Sequence, residues 1–172
     1  MFLKYFRTFS AKRVLKKSSL NVNSSISNKP IQTVGVLIDE TYFDKKEALI
    51  QLLVENGINP EKISVLAYKT KYKKKENISY PHYSKKDVTW LGTIENKDAK
   101  EFTSNQFDLL ISYFEEKKTP LQIVTHKSLA DFKVGFASSD KRLNHFMIDT
   151  EVENYTVFVD ELFKYLRILN KL

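Results

Sequence analysis

The chain has no cysteine, which excludes disulfides, thiolate metal sites and cysteine nucleophiles and suits a reducing compartment. Four glycines and four prolines are few for 172 residues, so regular elements with short connections are expected. No run of about 18 apolar residues occurs, so no segment reads as a membrane-spanning helix. The start, Met1 to Arg7, lacks the apolar core and small-residue cleavage site of a secretory signal. Acidic residues are missing altogether from the first 29 positions.

That last absence is the most informative. Those 29 residues carry seven basic side chains: Lys4, Arg7, Lys12, Arg13, Lys16, Lys17 and Lys29. The chain as a whole is +7, so the remaining residues are electrically balanced. A basic arm on a neutral body points to a polyanion: RNA, a ribosome or an anionic membrane surface. Phe2, Leu3, Tyr5, Phe6 and Phe9 share one face of a 3.6-residue helix, which gives the arm an amphipathic start able to lie on lipid. It is also basic and Ser-rich, like an organelle transit peptide. A Ser/Asn-rich stretch from Ser18 to Lys29 without period reads as a linker. The division expected is an arm and linker over 1–29 and a single domain over 30–172.

From Pro30 the pattern alternates. Thr33 to Ile38 is a continuous apolar run, as in a strand buried on both faces. Asp44 and Glu47 suit a capping box, followed by a helix rich in leucine and a terminating Gly57. Ile63 to Tyr68 is the next strand, which completes a βαβ unit. Val88 to Leu91 reads as a short strand and Asp98 to Phe102 as a helical turn. Phe107 to Tyr113 is an apolar strand. Thr119 as N-cap with Pro120 opens a helix to about Ala130. Phe132 to Phe136 and His145 to Ile148 are short strands, and Tyr155, Phe158, Val159, Leu162, Phe163, Leu166 and Leu169 keep helical period in a helix from about Glu153 to Lys171. This order predicts a Rossmann-like three-layer α/β fold with a mostly parallel sheet of about five strands.

Two regions are candidate sites. In open α/β sheets ligands bind beyond the carboxyl ends of the strands, where Asp39, Glu40, Tyr113, Asp140 and Asp149 fall. Carboxylates gathered there would suit Mg²⁺. The first strand-to-helix turn has no glycine, so its backbone cannot approach a pyrophosphate, which argues against a dinucleotide site. No cofactor is expected. The second region is Lys69 to Trp90, with Lys69, Lys71, Lys73, Lys74, Lys75, Lys85 and Lys86 against Glu76 and Asp87. Tyr68, Tyr72, Tyr80, Tyr83 and Trp90 interleave, and rings among lysines suit unpaired bases among phosphates. The preference for Lys over Arg speaks against bidentate phosphate contacts. His82, His126 and His145 form no metal spacing and no triad order. Ser138 to Lys141 reads as a turn.

Thr33 to Glu40, Phe107 to Tyr113 and Ala130 to Phe136 carry a resemblance, supported by Asp140 to Asn144, Met147 to Asp149 and Leu162 to Lys171. With these segments the chain resembles an uncharacterised flavobacterial (Bacteroidetes) family of small proteins known as a domain of unknown function. The resemblance implies a bacterial cytoplasmic protein and brings no activity with it. The Asp108 to Ile111 strand and the Phe132 to Phe136 segment are also similar to a fragment of heptosyltransferase-like glycosyltransferases, a likeness of fold alone. The function expected is therefore a non-catalytic cytoplasmic protein that binds RNA through its basic segments. The alternatives are an orphan enzyme or small-ligand binder using the acidic crevice, and a peripheral membrane protein held by the arm.

Overall fold

The computed structural model describes residues 29–72, 78–89 and 91–172. The arm and most of the linker therefore lie outside the described residues, as do Lys73, Lys74, Lys75 and Trp90. Six strands form one sheet: β1 (Val34–Asp39), β2 (Ile63–Lys69), β3 (His82–Ser84), β4 (Leu109–Tyr113), β5 (Phe132–Phe136) and β6 (Phe146–Ile148). Their spatial order is β3-β2-β1-β4-β5-β6, and every neighbouring pair is parallel. This is the doubly wound order, in which the chain reverses its direction of travel across the sheet between β1 and β4.

Four helices complete the layers: α1 (Lys46–Glu55), α2 (Lys97–Ser104), α3 (Thr119–Lys127) and α4 (Tyr155–Ile168). A strand covered on both faces buries every residue, and β1, β4 and β5 do so without exception. On one face Leu49 and Leu53 of α1 join Phe158, Leu162 and Leu166 of α4 over Val36, Ile38, Ile111 and Val134. On the other, Phe102 of α2 and Leu121 and Val124 of α3 cover Leu37, Leu66 and Leu110. Gly35 is required near the start of β1. A Cβ there would stand 2.7 Å from Phe107 Cδ2, closer than carbon atoms can approach.

The ends of elements differ from the sequence reading. Helix α1 starts at Lys46 with Lys45 as N-cap and no side-chain cap bond, so Asp44 does not cap it. Gly57 closes the helix as expected, at φ +100°. Lys118, not Thr119, is the N-cap of α3. Val88 makes one antiparallel bridge to Ile94, while the strand at this edge is β3. The segment expected as one helical turn is the eight-residue α2.

Two polar devices join elements, one strand to strand and one strand to helix. The Asp108 carboxylate accepts hydrogen bonds from the Gln32 N–H (3.0 Å), the Thr33 N–H (2.8 Å) and the Thr33 hydroxyl (2.8 Å). Burial pushes its pKa up, but these bonds outweigh burial and hold it below the usual range. On β5, Lys133 is buried, and its ammonium donates to the carbonyls of Thr125 (2.8 Å) and Ser128 (2.8 Å) at the end of α3. These are the carbonyls a helix leaves without partners.

Burial lowers the Lys133 pKa from 10.5 to about 8. Below that value the folded and unfolded chains are both charged here, and the penalty is constant. Above it the unfolded chain binds more protons, so stability rises with pH by about 1.4 kcal/mol per unit. A gain of about 2 kcal/mol is expected between pH 8 and about pH 9.5, read by urea denaturation, and it should vanish in Lys133→Met. Nearer pH 10 the phenols of Tyr68, Tyr83 and Tyr113, all raised by burial, act in the opposite direction.

Candidate functional site

The switch point lies between the carboxyl ends of β1 and β4, and its side chains are already engaged. Asp39 ends β1 at 4 % exposure, and Lys118 reaches it from the start of α3 at 2.5 Å. The same ammonium lies 4.3 Å from the centroid of the Tyr42 ring. Glu40 pairs with Lys46. Asp140 is held by Arg142 through Nε at 2.9 Å and Nη2 at 2.5 Å, and the Arg142 hydrogen bond keeps its pKa low. Asp149, past β6, is exposed. Tyr113 faces the core, fully buried, and its hydroxyl donates to the Val152 carbonyl at 2.6 Å. Ser138 to Lys141 falls across two turns, one closed by the Ser139 N–H on the Phe136 carbonyl at 3.0 Å and the next by the Leu143 N–H on the Asp140 carbonyl at 3.0 Å. Among the described residues no group of three or more His, Asp or Glu side chains could hold a metal ion.

The histidines divide by place. His145 Nδ1 accepts the Lys133 N–H at 2.9 Å, which fixes its neutral tautomer, and burial lowers its pKa. Burial also lowers that of His126, beside Lys133 and Lys127. His82 lies in β3, where Tyr72 packs against it with ring centroids 4.6 Å apart at 62°.

That pair belongs to a groove of about 1440 Å³ beyond the carboxyl ends of β2 and β3. Parallel strands end on one side of a sheet, so the chain leaving β2 and the chain leaving β3 meet there. The meeting brings exposed Lys71 together with exposed Lys85 and Lys86 in a groove lining shared with Tyr72 and His82. Pro120 at the start of α3 forms part of the lining, and the Tyr83 hydroxyl ties its carbonyl to β3 at 3.3 Å. Two carboxylates share the lining, Asp87 and Glu95. Asp87 is taken up by Ser84, whose N–H and hydroxyl each donate at 2.7 Å. Lys69 is half-buried and lies 5.9 Å from the centroid of the Tyr72 ring. The sequence marked this basic segment as a candidate but not the groove, because contacts across β2, β3 and α3 leave no trace in local spacing.

A six-stranded parallel sheet of doubly wound order, its switch point filled by an ion pair and a lysine-bearing groove toward one edge, defines a Rossmann-like α/β protein. The chain belongs to a family of unknown function, DUF6913, which it matches over residues 6–169. No curated protein and no solved structure matches it. Among the described residues no helix is long and apolar enough to cross a membrane.

Proposed function

We propose that this is a non-catalytic binding protein that engages RNA, as part of a ribonucleoprotein such as the ribosome, through its basic arm and the Lys69–Lys86 segment. The observation that carries this reading is the groove, in which Lys71, Lys85 and Lys86 come from two different loops to line one concave surface. The charge distribution supports it, since all of the excess charge of the chain sits in the arm. A cytoplasmic location and a flavobacterial origin, as the resemblance implies, complete the reading. The second reading, an enzyme working at the switch point, is favoured by one observation: the Asp39–Lys118 pair is buried where such folds place ligands.

Salt titration separates the two. RNA affinity should fall linearly on a log–log plot against salt. Replacing Lys71, Lys85 and Lys86 together by alanine should shrink the slope by roughly 2, at about 0.7 per phosphate contact on a single strand. Neutralising Lys12, Arg13, Lys16 and Lys17 should shrink it further. A full chain that shows no RNA affinity at low salt, and stays at the top of a density gradient of lysate, would sink the proposal. Migration with membranes instead would transfer the arm to an anionic lipid surface.

A further inference from the structure

We infer that the groove selects single-stranded over double-stranded RNA by taking unstacked bases, an inference that rests on the RNA reading above. Three features of the lining carry it. The first is charge. Lys71, Lys85 and Lys86 stand against Asp87 and Glu95, so the described lining is only weakly positive. The lysines can each meet a phosphate, and the two carboxylates leave room for contacts of another kind to add to that attraction.

The second feature is what lies between the charges. Tyr72, His82, Val88, Leu91 and Pro120 offer ring and apolar surface, with Leu91 at 57 % exposure. Tyr72 and His82 meet edge to face, so the two rings stand at an angle and do not stack on each other. Aromatic faces stack on bases of any sequence, but only where the bases are unpaired. In an A-form duplex the bases are stacked on one another, and side chains meet chiefly phosphate and 2′-hydroxyl groups. Exposed Glu95 adds an acceptor for the amino groups of bases, which a phosphate would avoid.

The third is size. At about 1440 Å³ the groove exceeds the roughly 300–1,000 Å³ typical of a site for one small molecule. It suits a short run of nucleotides, with bases toward Tyr72 and His82 and phosphates toward the lysines.

The test uses the full chain and a fluorescein-labelled, unstructured 12-nucleotide RNA, free or annealed to its complement. Fluorescence anisotropy gives both affinities, and inorganic polyphosphate serves as a base-free competitor. The strand is expected to bind at least ~10-fold tighter than the duplex. His82→Ala and Leu91→Ser should each weaken strand binding at least ~5-fold while leaving polyphosphate competition for the arm unchanged. Leu91 is exposed, so Leu91→Ser keeps the melting temperature and guards against a variant that merely unfolds. Equal affinity for strand and duplex, with normal salt dependence, overturns strand selection and leaves the RNA reading standing. Loss of binding to both overturns the two together.

Discussion

Tyr113→Ala should destabilise the fold by about 3–5 kcal/mol, the range for removing a large buried ring. The residue sits at the end of β4, beside the switch point, yet its side chain points into the core. Its ring meets Phe43 at 4.7 Å, Phe136 at 4.9 Å and Phe158 at 5.1 Å between centroids. These contacts bind the loop after β1, β4, β5 and α4 into one apolar cluster, and the empty ring volume could not be refilled from so many directions. Domains of this kind are stable by only about 5–15 kcal/mol, so the loss should be visible as partial unfolding at moderate urea. Tyr113→Phe keeps the ring and removes the hydroxyl donor to the Val152 carbonyl, at a smaller cost of about 1–3 kcal/mol. If Tyr113→Ala melts like the parent chain and abolishes binding of a ligand, the residue belongs to a site and not to the core.

Lys118→Met should cost about 3 kcal/mol, because it leaves the Asp39 carboxylate buried with one remaining donor shown, the Thr41 N–H at 3.0 Å. Breaking a buried pair from one side is expensive since the abandoned charge keeps its desolvation penalty. The double variant Asp39→Asn with Lys118→Met should recover much of the loss, because an amide is far cheaper to bury than a carboxylate. A double-mutant cycle in urea isolates the coupling between the two. The same variant examines the competing enzyme reading. A Lys118→Met chain that is fully stable and newly binds Mg²⁺, seen by calorimetry, would make the lysine a placeholder in a ligand site.

These two residues also show where sequence reading stops. The apolar run from Thr33 to Ile38 announced β1 because a strand buried on both faces leaves no polar position. For the same reason β4 and β5 were legible. Strand β3 was not, because His82, Tyr83 and Ser84 have neither an apolar run nor a clear alternation. They are extended because β2 pairs with them, Tyr68 against Tyr83. Asp39, Glu40 and Asp140 were recognised as lying beyond strand ends. Their cations were not foreseen: Lys118 is 79 positions from Asp39, and no local pattern joins them. For Tyr113 the strand was clear, but its position at the strand end suggested the crevice when its side chain serves the core. The helix starts slipped by one residue where Lys45 and Lys118, poor caps by propensity, occupy the N-cap position.

Strand β1 lies at the middle of the sheet, and its partner β4 lies far along the chain. Thr33 and Asp108, whose hydrogen bonds align the two strands, are 75 positions apart. During synthesis β2 becomes available to β1 before β4 does, so one edge of β1 is expected to wait for its partner. At roughly 5–20 residues per second that interval lasts several seconds. Through that interval the unpaired edge could take up a wrong strand, so closure of β4 onto β1 is the step expected to be slow.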